Sequence, residues 1–448
     1  MLATLGDWVD TALSTVSPTK EEKARVDSVA RDLLQRCSYA IEKSGIRAKV
    51  ELGGSYAHNT WLPGEADVDA FIILPEGTSK EEVPKIGLKI ANEALSGLHV
   101  IKRFAEHPYL ESYIDKVRVD VVPCIEAKKG EWKTAADRSP YHTRYMLSSL
   151  NDEKKRQIRL LKRFMKAQNL YGAEIKIKGF SGYVCEVLIA KYNTFLDLVQ
   201  QAAEWKDGTI ITVQKIQEGK NEGIAILDPV DERRNLARAI SNQKMAEFIH
   251  LCRIVQNRKI ENPFEKRLLR YAKLTKGILE HAFVLAFEHK EENEDILWGE
   301  LNRTSKNIAK HLTLDGFEVL NHNAYADNQK AAIAFLIANA NRSDIIARNG
   351  PPIFYSKEHK RFLSSASISW VFTDDFRTKR LERRKIISLK QILDEYMTNN
   401  RAGIAKGLFQ SASSTWKLFS GNEAVKSGKE LLVKALEAVA GYEPMDSY

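Results

Sequence analysis

The chain has 448 residues, of which 44% are hydrophobic and 28% are charged, so it is long enough for about three domains with sizeable cores. Its formal net charge of +9 favours an anionic partner, with nucleic acid ahead of a membrane surface. A basic protein that is merely soluble explains this charge equally well.

The cysteines argue against a zinc site and for a reducing compartment. None of them forms a C-x-x-C pair, and all have apolar neighbours in the sequence, which suits the cytoplasm. The N-terminus lacks the basic and apolar segments of a signal peptide, and no apolar stretch is long enough to span a bilayer. The four cysteines of the chain are Cys37, Cys124, Cys185 and Cys252. We therefore expect a cytoplasmic protein that does not enter a membrane.

Residues 1–150 are predicted to form a mixed α/β domain. The segment "PTKEEKARVDSVARDLLQRCSYAI" has apolar residues at helical spacing, and Thr19 and Glu22 form a candidate capping box at its start. The segments "KVEL", "VDAFIILP" and "KVRVDVVPCIEA" are predicted strands, and "EEVPKIGLKIANEAL" is a predicted helix between the last two.

Residues 151–262 are predicted to be helical. The segment "NDEKKRQIRLLKRFMKAQNL" carries a basic stripe beside an apolar one, and "SGYVCEVLIAKY" starts a second helix with Ser181 as its N-cap. The helical pattern continues through "NLARAISNQKMAEFIHLCRIVQ". The basic stripe consists of Lys155, Arg159, Lys162 and Lys166.

Residues 263–448 are predicted to mix strands and helices. "GILEHAFVLAF" is a predicted strand, "WGELNRTSKNIAKHL" a predicted helix, and "NQKAAIAFLIANA" fits either. "NGPPIF", from Asn349, predicts a turn and a subdomain seam. The stretch from Arg377 to Lys390 is the most basic in the chain, with seven Lys or Arg against one Glu. It is either an RNA contact or a solvated helix face.

One motif, "GGSYAHNTWLPGEADVDAF" from Gly53, carries candidate chemistry. Alternate residues of a strand share a face, so Asp67 and Asp69 point the same way, and Asp120 in "KVRVDVVPC" joins them if the two strands pair. Three carboxylates without nitrogen or sulfur ligands suit Mg²⁺, with Mn²⁺ as an alternative, and two such ions can drive an in-line phosphoryl displacement. The glycine-rich turn is suited to binding a phosphate. D-x-D alone is common, but its conjunction with this turn and the second strand favours catalysis.

The order of several motifs resembles that in archaeal, class I CCA-adding enzymes, within the nucleotidyltransferase superfamily that includes DNA polymerase β. The motifs are "GSYAHNTWLPGEADVDAFI", "AEHPY", "VRVDVVPC", "AADRSPYHTRY", "RLLKRFMKAQNLYGAE", "KGFSGYVCEVLI" and "DPVDERRN". The resemblance is detailed from Pro18 to Arg253 and weak after Lys360. It implies an α+β protein with a polymerase-β-like catalytic head (1–150), a helical central neck (151–262), and a mixed α/β body and tail that binds tRNA (263–448).

The resemblance also implies an activity and partners. Such enzymes add C, C and A to the 3′ end of tRNA from CTP and ATP without a nucleic-acid template, using Mg²⁺. The partners are then tRNA, through its acceptor arm and 3′ end, and the two nucleotides, with no membrane; a homodimer stays open. The alternatives are a poly(A) polymerase or another RNA 3′-terminal nucleotidyltransferase, a non-catalytic RNA-binding protein, and an oligoadenylate-synthase-like sensor.

Residue roles follow from the same resemblance. Asp67, Asp69 and Asp120 would hold the metal ions, with Asp120 activating the tRNA 3′-hydroxyl. Arg234 would read the base edge, where cytosine and adenine share an amine donor beside a ring-nitrogen acceptor. The other candidate nucleotide contacts are Gly54, Ser55, His58, Ser139, His142, Lys162 and Tyr171, and the candidate RNA contacts are His107, Arg377, Arg380, Arg383 and Arg384.

Two positions depart from the family pattern, and several have structural alternatives. The family often has Arg at His58 and Glu at Asp67; the second change keeps the charge. Lys162 could instead lie on a solvated helix face, and Arg234 could pair with Asp231. The remaining alternatives are a core position for Tyr171, a turn for Ser139, and ordinary packing for His142 and His107.

Overall fold

The computed structural model describes residues 2–104, 108–214, 223–256, 259–290, 293–373 and 375–443. The chain divides into two compact units, the first extending to Leu269 and the second beginning at Arg270. All of the candidate catalytic and nucleotide-binding residues lie in the first unit, whereas the basic stretch from Arg377 lies in the second. His107 falls outside the described residues.

A five-stranded sheet organises the first unit. Its strands are β1 (Lys49–Gly53), β2 (Asp67–Leu74), β3 (Ile101–Phe104), β4 (Pro108–Ile114) and β5 (Val117–Ile125), in the order β1-β2-β5-β4-β3. β2 and β5 pair in parallel, and the other neighbours are antiparallel. Both central strands are rich in buried Val and Ile, as expected of strands with two covered faces.

Helices cover this sheet and complete the unit. They are α1 (Leu5–Leu13), α2 (Lys20–Ser44), α3 (Gly54–His58), α4 (Val83–Ala94), α5 (Ser139–Ser149), α6 (Asp152–Ala167), α7 (Gly182–Tyr192), α8 (Phe195–Ala203) and α9 (Asn242–Gln256). Two short strands, β6 (Ile210–Ile211) and β7 (Ala225–Ile226), pair with each other. The apolar faces of α2 and α4 pack against β2 and β5 and form the main core. At the start of β2, α3 packs against this strand, and α5 packs against α3 and β1.

The second unit contains two further antiparallel sheets. Its elements are α10 (Lys276–His281), β8 (Ala282–Glu288), α11 (Glu294–Leu314), β9 (Val319–Ala326), β10 (Lys330–Ile337), β11 (Ile345–Pro352), α12 (Ser356–Leu363), β12 (Ser369–Phe372), β13 (Arg377–Arg383), α13 (Leu389–Asn399), α14 (Lys406–Thr415), β14 (Lys417–Ser420), α15 (Gly421–Lys426) and α16 (Glu430–Ala440). The strand orders are β14-β8-β10-β9 and β11-β13-β12. A core cluster between α16 and the four-stranded sheet stabilises this unit.

Most predicted elements are confirmed. The helix from Thr19 is α2, and the Thr19 hydroxyl accepts from the Glu22 N–H at 3.1 Å. The Glu22 carboxylate instead accepts from the Gly64 N–H at 2.5 Å, so the capping box forms only its first half. Ser181 caps α7 as predicted, accepting from the Val184 N–H at 3.2 Å.

Three predictions in the second unit need correction. "GILEH" is helical and belongs to α10, so the strand begins only at Ala282. "NGPPIF" is a turn only at its end: residues 349–352 are the last residues of β11, an edge strand with a register irregularity, where proline costs no ladder hydrogen bond, and the turn follows at residues 353–354. The basic stretch is not a helix face, because its first half is β13. The ambiguous "NQKAAIAFLIANA" is a strand, β10.

The cysteines are free thiols, and all four are buried. Burial raises the pKa of the Cys37 thiol to about 12, which makes it unreactive at neutral pH. In the described ranges, no helix combines the length and the apolar character needed to cross a bilayer.

Candidate active site

The three aspartates predicted from the sequence lie on the two paired central strands. In the parallel register of β2 and β5, Asp69 is the direct partner of Asp120, and Asp67 is the partner of Arg118. Because side chains alternate along a strand, these four lie on one face of the sheet. The predicted strand pairing is therefore confirmed, and it places three carboxylates within two residue positions of one another.

Arg118 was missed by the sequence analysis and changes the electrostatics of this cluster. Its guanidinium forms an ion pair with Asp67 and lies 3.5 Å from Oδ2 of Asp120. Within the described ranges, no three His, Cys, Asp or Glu side chains are already arranged to hold a metal ion. Arg118 supplies the positive charge at this point of the cluster. Its position two residues before Asp120 on the same strand was a readable signal.

The residues nevertheless fit a divalent cation. Oδ1 of Asp120 is buried and has no hydrogen-bond partner in the described part of the chain, so one carboxylate oxygen is left to accept a ligand. The donor set consists of carboxylate oxygens, which Mg²⁺ and Mn²⁺ prefer. Asp67, Asp69 and Asp120 are therefore the residues that would hold such an ion.

Burial and mutual repulsion make this cluster costly to ionise. Burial raises the pKa of Asp69 to about 8, and the charges of Asp67 and Asp120 act in the same direction. Burial likewise raises the pKa of Asp120 to about 6, although Arg118 opposes the shift. A bound cation would favour the charged carboxylates and reverse both effects.

The glycine-rich turn packs directly against the carboxylates. Gly53 ends β1, and Gly54 begins α3 with a φ of +63°, a conformation that favours glycine. A Cβ atom at Gly54 would lie 1.8 Å from Oδ2 of Asp69, so a larger residue there would displace the carboxylate. The Ser55 hydroxyl donates to Oδ1 of Asp67 at 3.0 Å. The turn thus positions the carboxylates as well as offering N–H groups to a ligand.

A cleft of about 550 Å³ opens beside Asp67. Its lining brings together four of the sequence-predicted site residues, Ser55, Asp67, Lys162 and Tyr171. The Lys166 ammonium lies 5.1 Å from the centre of the Tyr171 ring, also at the cleft. The N-terminus of α7 contributes Ser181 and Gly182 to the same wall. The lining carries three lysines and one arginine against three carboxylates. The lysines and the helix N-terminus are the part of this surface that is suited to an anion.

Lys162 does not lie on a solvated helix face. Its side chain is 2% exposed, and its ammonium donates to the Thr60 carbonyl at 3.1 Å and lies 3.7 Å from Oε1 of Glu186. Glu186 accepts from the Thr60 hydroxyl at 2.5 Å and from Nδ1 of His58 at 2.9 Å. Burial alone would raise the pKa of Glu186, but Lys162 and His58 hold it below its usual value. His58, a predicted nucleotide contact, is thus engaged in this buried network.

Arg159 on the same helix was also predicted as part of a basic surface stripe. Its guanidinium is almost fully buried and donates to the Trp61 carbonyl at 3.1 Å and to the Asn59 side chain at 2.8 Å. It therefore ties α6 to the loop between α3 and β2, and that loop leads to Asp67. Sequence periodicity could not distinguish this tertiary role from a solvated charge.

A second cluster gathers around Asp228, which is fully buried. Its Oδ2 accepts from His142 Nε2 at 2.9 Å and from Arg234 at 3.0 Å. Its Oδ1 accepts from the Tyr183 hydroxyl at 3.1 Å and from the Val230 N–H at 2.9 Å. Burial would raise the pKa of Asp228, but these donors, His142 foremost, hold it well below its usual range. The aspartate therefore stays ionised and fixes both predicted nucleotide contacts.

The sequence analysis gave Asp231 as an alternative, structural partner for Arg234, and that partner is wrong. Arg234 pairs with Asp228, whereas Asp231 accepts from Arg233 at 3.2 Å and lies 3.9 Å from Arg138. Asp228 was missed, although it begins the quoted motif "DPVDERRN". Ser139 begins α5, three residues before His142 and therefore on the same helix face.

The basic residues of the second unit are partly engaged inside that unit. Arg380 donates to the Phe362 carbonyl at 3.0 Å, stacks on the Phe362 ring at 4.6 Å and forms an ion pair with Glu382. Arg383 forms an ion pair with Asp344 at 3.0 Å but is 77% exposed. The other two, Arg377 and Arg384, donate to the backbone carbonyls of Gly350 and Asp315. Arg377 and Arg383 are exposed and can reach a partner, whereas Arg380 and Arg384 are half-buried.

Comparison with known proteins places these features in one family. Residues 34–142 match a nucleotidyltransferase domain, 156–265 the second domain of tRNA nucleotidyltransferase, and 280–421 the C-terminal domain of the CCA-adding enzyme. The chain is 32% identical over 425 residues to the CCA-adding enzyme of Archaeoglobus fulgidus, covering 93% of this chain and 95% of that protein. It is 31% identical to that of Pyrobaculum islandicum, covering 92% and 98%.

A solved Cid1 poly(U) polymerase structure is a more distant match, with 12% identity, a TM-score of 0.46, and coverage of 58% of this chain and 98% of that one. The full-length matches to the archaeal proteins are much closer in sequence. The chain therefore belongs to the CCA-adding enzyme family of tRNA nucleotidyltransferases.

Proposed function

We propose that this chain adds C, C and A to the 3′ end of tRNA from CTP and ATP, with Asp67, Asp69 and Asp120 as its catalytic carboxylates. The observation that carries this proposal is the pairing of Asp69 with Asp120 beside the cleft lined by Lys162. CCA addition is favoured over poly(A) synthesis, because relatives matched over nearly their full length are CCA-adding enzymes. A non-catalytic RNA-binding role would not require the three carboxylates.

Transfer of one nucleotide makes one P–O bond, breaks one P–O bond and releases the proton of the 3′-hydroxyl that Asp120 activates. The terminal 3′-oxygen of tRNA attacks the α-phosphorus of the nucleotide, the bond to the β-phosphate breaks, and pyrophosphate leaves. Mg²⁺ ions, with Mn²⁺ as a substitute, would supply charge neutralisation and lower the pKa of the attacking hydroxyl when bound. The chain would contribute Asp67, Asp69 and Asp120 to hold the metal ions, with Asp120 also activating the 3′-hydroxyl.

The cleft beside Asp67 is suited to the triphosphate. Lys162 would donate to a phosphate oxygen, and Glu186 fixes its ammonium at the wall before a ligand arrives. The backbone N–H groups of Gly54 and Ser55, and the Tyr171 hydroxyl, add donors without further charge. Preorganised donors cost little reorganisation when charge develops on the leaving pyrophosphate, which favours the transition state.

The cluster around Asp228 is suited to reading the base. Arg234, held by Asp228, can donate to the ring nitrogen that cytosine and adenine both present, while an RNA phosphate oxygen accepts from the exocyclic amine. Uracil and guanine present a carbonyl and an N–H there, so both contacts would fail. His142 also donates to Asp228, and its ring stacks on Tyr183 with ring centres 4.1 Å apart. Together with Ser139 on the same helix face, it would complete the base-binding surface.

We also propose a division of labour along the chain. Residues 1–150 would act as the catalytic head and 151–262 as the neck that binds the nucleotide. Residues 263–448 would hold tRNA, with the exposed Arg383 as one contact. We place the enzyme in the cytoplasm, which suits its free, buried thiols.

One assay tests the reaction. Transcribed tRNA ending before its CCA is incubated with the enzyme, Mg²⁺ and each nucleoside triphosphate singly and in pairs, and the products are sized at nucleotide resolution. We expect additions of C from CTP alone, one complete CCA from CTP with ATP, and none from UTP or GTP. A long tail from ATP alone would instead establish a poly(A) polymerase.

A further inference from the structure

A second cleft of the first unit carries an unbalanced positive charge. It has a volume of about 480 Å³ and is bounded by two chain segments, the connection after β5 and the turn before the short 3₁₀ helix Leu236–Ala239. Four arginines and one tryptophan line it, with Asp231 as the one carboxylate among its lining residues. We call it the arginine cleft; its arginines are Arg138, Arg233, Arg234 and Arg238, and its tryptophan is Trp132.

The two walls of the arginine cleft are fastened to each other. Arg233 donates to the Gly130 carbonyl at 2.8 Å and to Asp231 at 3.2 Å. Arg138 lies 3.9 Å from the same aspartate, which is 9% exposed. Arg233, although its side chain is 74% exposed, and the buried Asp231 therefore link the two walls of the cleft.

The residues that line the arginine cleft do not provide acceptors for all of their own hydrogen-bond donors. Asp231 faces two arginines, Arg234 is bound to Asp228, and Arg238 is exposed with no carboxylate partner among the described residues. Nε of Arg138 is buried and also lacks a partner there. Buried donors without acceptors are unfavourable unless a ligand supplies oxygens. Guanidinium groups match the oxygens of phosphate, so an anionic phosphate is the complementary ligand.

Trp132 adds an aromatic surface to this charge. Its indole packs edge-on against Tyr141, with ring centres 5.0 Å apart, and it remains partly exposed. Its Nε1 is a further buried donor without a partner in the described part of the chain. An aromatic face beside arginines is the combination that binds single-stranded nucleic acid, where phosphates meet the charges and a base or ribose meets the ring.

We propose that the arginine cleft binds phosphodiester groups of the RNA strand, with Trp132 contacting a base or ribose of that strand. This inference rests on the proposed function and names a further RNA contact of the same enzyme. The triphosphate is assigned to the cleft beside Asp67, which shares no lining residue with the arginine cleft, so the arginine cleft is a separate site. Arg234 lines the arginine cleft, so RNA bound there would lie beside the candidate base-reading residue.

The test compares tRNA binding by two double variants at several salt concentrations. Arg233→Gln with Arg238→Gln removes two cleft charges, whereas Arg36→Gln with Arg156→Gln removes one partly exposed and one exposed arginine that form helical ion pairs elsewhere in the unit. We expect the cleft variant to flatten the slope of log affinity against log salt by up to about two units, and the control to leave it unchanged. Trp132→Phe, which keeps an aromatic ring, should weaken binding without changing the slope.

Several outcomes would overturn the proposal. An unchanged slope in the cleft variant, or an equal change in the control, overturns the proposal. A raised KM for CTP with unchanged tRNA binding also overturns it, since the cleft would then hold the triphosphate; competition with inorganic pyrophosphate checks this directly. If the unaltered enzyme adds no nucleotide to tRNA, the proposed function fails; if it is active and the cleft variant binds tRNA normally, only the cleft assignment fails.

Discussion

Asp69 is the direct register partner of Asp120 across the parallel pairing of β2 and β5; Asp120 is buried and Asp69 is half-buried. Two carboxylates in this arrangement repel each other when both are charged, and hydration stabilises their charges only weakly. Without a metal ion, protonation of Asp69 relieves this repulsion and Arg118 offsets part of it; a divalent cation held by the cluster would allow both carboxylates to be charged. The close approach of these carboxylates, which suits them to hold a metal ion, is therefore also what destabilises the metal-free site.

The first prediction follows from the proposed metal-binding role of these carboxylates. Asp69→Asn and Asp120→Asn should each abolish nucleotide addition while leaving tRNA affinity unchanged, because RNA affinity depends mainly on distant Lys and Arg. Single-turnover CMP addition and filter binding measure the two effects. Asp10→Asn, a change of an exposed helical aspartate, serves as the control and should behave like the unaltered protein. Near-normal incorporation by either folded active-site variant would remove the residue from the catalytic assignment.

A second prediction concerns pH and metal. The pKa of Asp69 is raised from 3.8 to about 8, so the folded, metal-free protein binds more protons than the unfolded chain between these values. Its free energy of unfolding should therefore fall as the pH rises across that window. We expect the Tm of the metal-free protein to decrease from about pH 5 to about pH 8, and Mg²⁺ to restore it at the higher pH.

Calorimetry with and without a chelator measures this effect. Asp69→Asn carries no charge at either pH, so the variant should lose most of the pH dependence and most of the stabilisation by Mg²⁺. A Tm that rises with pH in the metal-free enzyme, or a variant with the original profile, would contradict the explanation.

The third prediction addresses the buried network behind Lys162. Glu186→Gln leaves the Lys162 ammonium buried without its counter-charge, and it also removes the anionic partner of His58. Losing one partner of a buried ion pair costs about 3–5 kcal/mol in the free energy of unfolding. Urea denaturation should show this loss, with Glu153→Gln, which alters the exposed partner of Arg156, as the matched control. Equal stability of the two variants would show that Lys162 does not depend on Glu186.

Base recognition gives the fourth prediction. Arg234→Ala should lower kcat/KM for CTP and ATP together, by one to two decades, since a charge-assisted hydrogen bond is worth about 1.5–3 kcal/mol. Asp228→Asn keeps the size of the side chain but weakens its hold on Arg234 and His142, so we expect a loss in the same direction for both nucleotides. Steady-state kinetics with each nucleotide measure this. A loss for one nucleotide alone would contradict a shared base-edge contact.

The site residues that could be predicted from the sequence are those whose partners lie in the same short segment or in an adjacent predicted strand. Asp67 and Asp69 are two residues apart on one strand, so their common face follows from strand geometry, and Asp120 required only that two apolar strands pair. Glu186 gave no such signal, because its partners Thr60 and Lys162 are distant in the chain and meet only in the fold. Its place in the apolar segment "YVCEVLI" did mark it as a charge inside a buried helix.

The second unit shows the limit of local signals for secondary structure. Pro351 and Pro352 favour a turn by themselves, yet the pairing of β11 with β13 accommodates them at the end of an edge strand. Likewise, the basic stretch has no alternation that marks a strand, and its extended form comes from pairing on both sides, with β11 and with β12. Tertiary pairing outweighed local propensity in both segments.

The last prediction separates two arginines of β13. Arg383 is 77% exposed, and its ion pair with Asp344 lies at the surface, so it can exchange that partner for an RNA phosphate. Arg380 is 15% exposed and is engaged with Phe362 and Glu382, so it supports the sheet instead. Arg383→Ala should therefore raise the KM for tRNA and flatten the salt slope by about one unit, with the KM for CTP unchanged. Arg380→Ala should lower the stability of the second unit and change the salt slope less.

Filter binding at several salt concentrations, paired with thermal denaturation, distinguishes the two roles. Lys276→Ala removes a highly exposed cation from α10 of the same unit and serves as the control for a general loss of charge. If Arg383→Ala and Lys276→Ala change the slope equally, the effect is one of net charge and not of a phosphate contact. If instead Arg380→Ala flattens the slope while the protein remains fully stable, its guanidinium must leave Glu382 to meet RNA, and β13 would then present both arginines to the tRNA backbone.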